Sequence, residues 1–332
     1  MVALAVAAAV VAVWGVWWLR KRGRDRDLLG LRGALARLIE RRLGGYRQQI
    51  NEIDRRAPLN TRERRRVLVI GGGLAGIGAA SQLADRGFVV TLADANPYLG
   101  GKIGAWTENG RRVEHGFHAF FRHYYNLNRF LERTGVRANM VPIADYAILE
   151  RDGRSWTFKD VEPTPGLNLV ALARAGLYRL RDILFTPAVH EMDAFLAYDD
   201  EATHADLDGV SYAGFAERLQ LPARLMLVFN TFARAFFATS DRLSMAELVK
   251  AFHFYYLSHD HGLMYDHPVG DYPPSVLRAL RAHLARQGVT VRLGTPIDRI
   301  ERDGRGFRVA GEHYEYCVLA ASPLGTRSIL RR

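Results

Sequence analysis

Three glycines in the pattern G-x-G-x-x-G could form a backbone cradle for phosphate groups. Gly71, Gly73 and Gly76 directly follow the apolar run at residues 67–70. In such a cradle the first glycine permits a tight turn, the second lets the backbone approach a pyrophosphate, and the third allows a helix to pack closely on a strand. The free N–H groups at the start of that helix attract the negative charge. The spacing therefore predicts dinucleotide binding, and the alternative is a tight glycine connection without a ligand.

An acidic residue follows the cradle at the position expected for a ribose ligand. Asp94 ends a second apolar run, residues 89–92, and lies roughly 20 residues after the last glycine. A carboxylate there accepts hydrogen bonds from ribose hydroxyl groups and disfavours a 2′-phosphate. A strand, a glycine turn, a helix over about residues 74–86 and a second strand must position these groups. This order of elements predicts a Rossmann-type α/β fold.

The segments after Asp94 resemble the flavin amine oxidase and carotenoid desaturase superfamily. Residues 99–102, Leu-Gly-Gly-Lys, match its L-G-G-[RK] motif, and residues 114–121 match the pattern E-x-G-x-H-x-F-F of plant-type desaturases. Residues 113–135 are most similar to isorenieratene synthase-like β-carotene desaturases. The resemblance implies FAD as the cofactor, with the backbone of Ile297 at the adenine and Lys102 near the phosphates. The cofactor-binding residues so implied are Gly71, Gly73, Leu74, Ala75, Gly76, Asp94, Gly100, Gly101, Lys102, Gly116 and Ile297.

The resemblance also implies a glutathione-reductase-like FAD-binding domain that is interrupted by an α+β substrate domain. We expect the first part of the FAD-binding domain at 66–142, a largely helical substrate domain at 143–285, and the return to the FAD-binding domain at 286–332. A hairpin over residues 146–159 would open the insertion. Members of the superfamily continue with a segment containing Ala-Gly-Asp that closes over the flavin. We find no such segment before Arg332. We therefore expect a fragment, a split enzyme in which a second polypeptide supplies the C-terminal part, or a truncated product that binds FAD poorly.

The N-terminus combines an apolar stretch with a basic one. Residues 2–19 carry no charge, and at 1.5 Å per residue they span about 27 Å, enough to cross a hydrocarbon core. Residues 20–66 contain 16 Lys or Arg and 6 Asp or Glu, so they account for nearly all of the net charge of +11. This arrangement predicts a transmembrane helix at 1–19, a basic juxtamembrane segment at 20–65 on an anionic membrane surface, and a cytoplasmic soluble part. The alternatives are a cleaved signal peptide and an amphipathic helix packed on the folded domain.

The remainder of the chain is almost neutral, and this argues against a nucleic-acid partner, which would need a basic surface on the folded domain. The single cysteine, Cys317, excludes an internal disulfide and any Cys-rich metal or iron–sulfur site held by this chain alone. Histidines cluster around residues 115–118 and 253–267. A di-iron site at these histidines is the alternative, but it needs more membrane spans than the one candidate offers. We expect no metal.

The resemblance implies a membrane-anchored FAD-dependent desaturase that removes a hydride from a carotenoid or related polyisoprenoid lipid. A hydrocarbon has no carbonyl group to attack, so the protein must bury the substrate against the flavin, exclude water and stabilise a transient cation. His118, Phe117 and Phe120 are the catalytic candidates, with core packing as the alternative for the aromatic residues. Residues 229–237 are a candidate tunnel wall, and residues 258–272 a loop beside it. An amine or porphyrinogen oxidase, or a partner-dependent flavoprotein subunit without its own activity, stays open as another function.

Overall fold

The computed structural model describes residues 64–143, 145–150, 152–160, 167–179, 181, 198–221, 223–257 and 262–330, without the side chains of residues 224, 225, 228 and 232. The predicted transmembrane helix at 1–19 and all but the last two residues of the predicted basic segment lie outside these ranges. Within them, no helix has both the length and the apolar character needed to cross a membrane.

The described chain alternates strands and helices. The strands are β1 (Arg66–Ile70), β2 (Val89–Ala93), β3 (Ala105–Glu108), β4 (Arg111–Glu114), β5 (Phe120–Phe121), β6 (Met140–Pro142), β7 (Ala147–Leu149), β8 (Ser155–Thr157), β9 (Tyr265–Pro268), β10 (Thr290–Arg292), β11 (Glu301–Asp303), β12 (Gly306–Val309), β13 (Glu312–Tyr314) and β14 (Tyr316–Leu319). The α-helices are α1 (Leu74–Ala84), α2 (Tyr125–Thr134), α3 (Leu167–Arg174), α4 (Asp200–Leu207), α5 (Tyr212–Arg218), α6 (Ala223–Ala235), α7 (Met245–Phe252), α8 (Arg278–Arg286) and α9 (Pro323–Leu330). Short 3₁₀ turns occupy Gly101–Ile103 and Val136–Asn139, and π-helical turns occupy His253–Leu257 and Pro273–Leu277.

The chain divides into two compact units. The described parts of residues 64–143 and 265–330 form one, here called the sheet unit, and those of 145–264 form the other, here called the helical unit. The first boundary follows residue 143, where the sequence predicts the substrate domain to begin. The second boundary, before residue 265, differs from the predicted return at 286. The reason is that β9, the π-helical turn at Pro273–Leu277 and α8 precede β10 and pack within the sheet unit.

A four-stranded parallel sheet, in the order β10-β2-β1-β14, is the centre of the sheet unit. Its strand β1 is buried on both faces, as is usual when other elements cover a parallel sheet on both sides. Val67 and Val69 pack into one cluster with Ile77 of α1, whereas Leu68 and Ile70 pack into a second cluster on the opposite face. This alternation follows from the two-residue period of a strand. The predicted Rossmann-type α/β fold is confirmed.

A smaller antiparallel sheet, β5-β9-β6, lies in the same unit. The carboxylate of Asp266 in β9 is only 1% exposed and forms ion pairs with Arg122 at 3.1 Å and Arg137 at 2.5 Å. Two cations with several N–H donors offset the cost of burying this charge. The predicted loop over residues 258–272 is thus wrong for Tyr265–Pro268, which form the central strand of this sheet, while residues 258–261 lie outside the described part.

The helical unit begins with the predicted hairpin, since β7 and β8 pair antiparallel. Helices α3 to α7 follow, in agreement with the helical pattern of this region. Ser211 and Ser244 cap α5 and α7 by accepting a hydrogen bond from the backbone N–H three residues ahead. The core of the unit is rich in aromatic and aliphatic residues such as Tyr212, Phe215, Met245 and Leu248.

Candidate functional site

The first glycine turn connects β1 to α1 at the carboxyl edge of the parallel sheet. Gly71 has φ +113°, and a Cβ atom there would lie 2.6 Å from the carbonyl oxygen of Ala320. A Cβ atom on Gly76 would lie 1.8 Å from the carbonyl oxygen of Gly71. Both positions therefore require glycine, one for its backbone conformation and close approach and the other for helix–strand packing.

A second glycine turn lies against the first. Gly100 and Gly101 have φ +114° and +58°, and Gly100 N–H donates to the carbonyl oxygen of Gly72 at 2.8 Å. A Cβ atom on Gly101 would lie 3.1 Å from the Cα atom of Gly73. Lys102 follows in a 3₁₀ turn and is exposed. The structure thus brings the two sequence motifs together into a double glycine turn, which here means residues 71–76 with residues 100–101.

Helix α1 begins at this double glycine turn without a side-chain cap. Gly73 is its N-cap residue, no side chain bonds to the first N–H groups, and the first turn contains no acidic residue. Leu74 is half-buried and Ala75 is exposed. An uncapped helix N-terminus leaves backbone donors and a positive dipole end for an anion. The positions that exclude a Cβ atom and the open helix end fit the pyrophosphate of a dinucleotide.

Asp94 organises the loops around the turn. Its Oδ2 accepts from Gly72 N–H at 2.5 Å, and its Oδ1 accepts from Asn96 N–H at 2.7 Å and from Asn96 Nδ2 at 3.0 Å. A carboxylate has about four acceptor sites, so about one is left for a ribose hydroxyl group. The carbonyl oxygen of Asp94 also accepts from Thr295 N–H at 2.9 Å. This bond brings the loop that contains the half-buried Ile297 to the same edge of the sheet.

A third glycine turn carries two of the catalytic candidates. Gly116 has φ +113°, and the backbone N–H of His118 donates to the hydroxyl oxygen of Tyr272 at 2.8 Å. The side chain of Phe117 is 64% exposed, and its ring centroid lies 6.1 Å from that of Tyr265. Phe120 is different, because it is 3% exposed and packs in the core of the sheet unit. Core packing, the alternative that the sequence left open, therefore describes Phe120.

The candidate tunnel wall at residues 229–237 is not one continuous surface. Phe229 is buried in the core of the helical unit, Phe236 is partly exposed and Phe237 is fully exposed. A cavity of ≈350 Å³ in this unit is lined by residues such as Tyr212 and Asn230, and neither Phe236 nor Phe237 lines it. Asn230 of this range does line the cavity, and the side chain of residue 232 lies outside the described part, so the tunnel wall stays a prediction.

Within the described ranges, no three His, Cys, Asp or Glu side chains lie close enough together to hold a metal ion. Two of the clustered histidines, at 259 and 261, lie outside those ranges. Cys317 is half-buried in β14, and burial raises the pKa of its thiol to about 11. A thiol in such surroundings is a core residue rather than a reactive one.

The sequence does not predict three residues of the site. Ala320 forms the wall behind Gly71, Asn96 shares the Asp94 carboxylate, and Tyr272 binds the Gly116 turn. The sequence predicts a short apolar strand over residues 316–320, and the small residue at its end was the one local signal for Ala320. Nothing local indicated Tyr272, whose partners lie about 150 residues earlier in the chain.

The sequence of the chain is similar to those of curated carotenoid-modifying proteins. The chain is 36% identical over 270 residues to a carotenoid phi-ring synthase from Streptomyces griseus, covering 76% of this chain and 52% of that protein. It is 31% identical over 251 residues to a carotenoid phi-ring synthase from Chlorobaculum tepidum, covering 73% and 39%. The chain thus spans about half the length, or less, of these curated relatives.

Among solved structures, a cyclohexylamine oxidase from Brevibacterium oxydans superposes with a TM-score of 0.53 at 19% identity, covering 80% of this chain and 60% of the other. This similarity supports the fold alone. The family profile described as flavin containing amine oxidoreductase matches residues 74–331, which include α1, the second and third glycine turns and β14. The chain therefore belongs to the flavin containing amine oxidoreductase family, and its cofactor is FAD.

Proposed function

We propose that this protein is an FAD-dependent desaturase that removes hydride from a carotenoid or a related polyisoprenoid lipid. The observation that carries the oxidoreductase assignment is the double glycine turn at the open N-terminus of α1, within a chain of a flavin-dependent family. The carotenoid class is supported by the similarity to two proteins named carotenoid phi-ring synthase.

The residues of the double glycine turn would hold the phosphate-containing half of FAD. The backbone N–H groups of Leu74, Ala75 and Gly76 face the space in front of α1, where they would bind the pyrophosphate. Gly73 and Gly101 would let this backbone approach the phosphates closely. Lys102 would add a positive charge at the rim. Asp94 would use its remaining acceptor site for the ribose, and the backbone near Ile297 would contact the adenine.

The chemistry that the bound flavin supplies is the acceptance of a hydride. The protein must then provide an apolar, dry surface for the hydrocarbon and a favourable environment for positive charge on it. The exposed Phe117 ring, backed by Tyr265, offers such an aromatic face. Gly116 and His118 lie in the same turn, so they would be close to the same part of the substrate.

We also propose that the protein acts at a membrane, where such lipids are found. The support is the uncharged stretch at 2–19, which ends in Trp14, Trp17 and Trp18 and precedes the basic residues 20–26. The protein should sediment with membranes and resist extraction at high salt and alkaline pH, while a variant that lacks residues 1–19 should be extracted. Release of the intact protein by salt alone would contradict a spanning anchor and favour surface attachment.

The proposed reaction can be tested with the full chain in carotenoid-containing membranes. The purified protein should show a flavin absorption spectrum, and chromatography should show loss of the carotenoid with a gain of double bonds in the product. Putrescine, cyclohexylamine and protoporphyrinogen serve as competing substrates. Oxidation of one of these without carotenoid conversion would replace the proposal by an amine or porphyrinogen oxidase. Conversion that requires a second polypeptide would replace it by a partner-dependent subunit.

A further inference from the structure

Tyr272 closes a ring of three hydrogen bonds around the Gly116 turn. The backbone N–H of His118 donates to the Tyr272 hydroxyl oxygen at 2.8 Å, and the Tyr272 hydroxyl donates to the carbonyl oxygen of Gly116 at 3.3 Å. His118 Nδ1 lies 3.0 Å from the same carbonyl oxygen. The rings of His118 and Tyr272 also pack edge to face, with centroids 5.8 Å apart. The turn and the imidazole are therefore held together.

The ring of bonds determines which nitrogen of His118 carries the proton. A carbonyl oxygen accepts and never donates, so Nδ1 must be the protonated nitrogen. In the neutral imidazole the lone pair then lies on Nε2. Within the described residues, the imidazole of His118 forms its hydrogen bond through Nδ1, and Nε2 has no partner there. Burial raises the pKa of the Tyr272 phenol above its usual range, so the hydroxyl keeps the proton that it donates to Gly116.

Residues 272–277, which begin with Tyr272, connect the Gly116 turn to the double glycine turn. The backbone N–H of Tyr272 donates to Glu114 Oε1 at 2.9 Å, and Glu114 pairs with Ala105 across the β3–β4 hairpin. Ala105 directly follows the Gly100–Gly104 turn. The side chain of Leu277, at the end of the π-helical turn after Tyr272, packs against Gly100 so closely that a Cβ atom there would lie 2.9 Å from it. Residues 272–277 thus contact both the second and the third glycine turns.

We propose that His118 is the proton acceptor of the desaturation through its Nε2 atom. Tyr272 is the positioning residue: its hydroxyl holds the Gly116 carbonyl where it accepts from Nδ1, so it acts on the tautomer of His118 through that carbonyl. This inference rests on the proposed function. A desaturation removes a hydride and a proton from adjacent carbons. In the step assigned to His118, the C–H proton passes to Nε2, the electron pair of that bond becomes the new C=C π bond, and the resulting imidazolium later releases its proton to water.

The tautomer can be measured without substrate. The full-length FAD-bound protein is labelled with ¹⁵N-histidine, and long-range ¹H–¹⁵N correlation spectra distinguish protonated from unprotonated ring nitrogens. The His118 signals are assigned by their loss in His118→Asn. We expect Nδ1 protonated and Nε2 unprotonated in the neutral ring, and a mixture of tautomers in Tyr272→Phe. A neutral His118 with its proton on Nε2 would overturn the proposal.

The proton transfer is tested by turnover. In His118→Asn the side-chain amide can still donate to the Gly116 carbonyl, but no atom takes the place of Nε2. His118→Asn should bind FAD within about twofold of the native protein and lose carotenoid conversion by about 100-fold or more. The matched control is His313→Asn, which changes an exposed histidine in β13 and should leave conversion unchanged.

The outcomes separate this proposal from the proposed function. Native-like conversion by His118→Asn would overturn the assignment of the proton acceptor. Unchanged tautomers in Tyr272→Phe would overturn the positioning role, whatever the melting temperature of that variant. If the native protein bound FAD but converted no carotenoid, the proposed function would fail, and the NMR result alone would decide whether His118 presents Nε2 as an acceptor.

Discussion

Substituting Gly76 by alanine should open the cofactor cradle. The added Cβ atom would lie 1.8 Å from the carbonyl oxygen of Gly71, whereas ordinary contact begins at 3.4 Å. Helix α1 or the Gly71 turn must therefore move by about 1.5 Å. Hydrogen bonds tolerate a range of only about 0.5 Å, so a shift of this size removes backbone N–H groups from the phosphates.

The expected loss can be worked out from those bonds. Hydrogen bonds to a charged group contribute about 1.5–3 kcal/mol each, and the shift should remove about two of them. FAD should then bind at least about 100-fold more weakly, which is about 3 kcal/mol. Titration of the apoprotein with FAD, followed by the quenching of flavin fluorescence, measures this constant. Thermal unfolding of the apoprotein measures the separate cost of the strained packing.

Two further glycines give matched variants. A Cβ atom on Gly78, in the same helix, meets nothing within 4 Å, so Gly78→Ala should leave FAD binding unchanged and stabilise the fold by up to about 1 kcal/mol. A Cβ atom on Gly73 has its nearest neighbour at 3.9 Å, so Gly73→Ala should fold normally but weaken FAD binding by filling the cradle. The reasoning fails if Gly73→Ala and Gly76→Ala both bind FAD as tightly as the native protein.

Three other outcomes follow from individual side chains. Hydrogen bonds from Arg292, and to a smaller extent from Arg66, lower the pKa of Glu312 to about 2. The ionised carboxylate therefore stabilises the fold fully above pH 4.5, and this stabilisation is lost as the pH falls towards 2. In Glu312→Gln the free energy of unfolding should fall by about 1 kcal/mol less between pH 4.5 and pH 2 than in the native protein, after allowance for solvent screening. Asp94→Asn should weaken FAD binding about tenfold by turning an amide donor toward backbone donors, while Asp298→Asn at an exposed site should not, and equal binding would contradict the role of the carboxylate. With a thiol pKa raised by burial to about 11, Cys317 should react with iodoacetamide at pH 8 only after unfolding, and mass spectrometry would reveal rapid native labelling if this is wrong.

The part of the site that the sequence predicted is the part where backbone geometry dictates the residue type. Gly71 and Gly76 could be predicted as site residues because a Cβ atom at either position would clash with backbone atoms, so only glycine fits there. The hairpin of β7 and β8 could also be predicted from a local pattern, because alternating apolar residues flank the turn residues Asp152 and Gly153. Such requirements are local, and a single sequence carries them.

The remaining features depend on pairing between distant segments. Ala320 reaches Gly71 because β14 pairs parallel with β1, placing Leu319 beside Ile70. The strand at residues 265–268 looked like a loop, because histidine, aspartate and proline hide the pattern of a buried strand. Its stability comes from neighbours on both sides and from the ion pairs of Asp266, and none of these partners is near in sequence.

Polar contacts at the C-terminal end of α1 hold this helix, whose N-terminus has no side-chain cap. Arg133 donates to Ser81 Oγ at 2.8 Å and to Asp85 at 2.5 Å, and Gln287 donates to the carbonyl oxygen of Ser81 at 3.2 Å. Ser81 Oγ also shares a hydrogen bond with His283 Nε2, 2.9 Å away, and the tautomer of His283 sets the direction of this bond. Burial, with a smaller contribution from nearby arginines, lowers the pKa of His283 and so disfavours its charged form. Helix α1 is thus held at its C-terminal end by polar contacts with α2 and with residues in and after α8. Its orientation therefore does not depend on a side-chain cap at its N-terminus, where the first N–H groups can bind an anionic ligand.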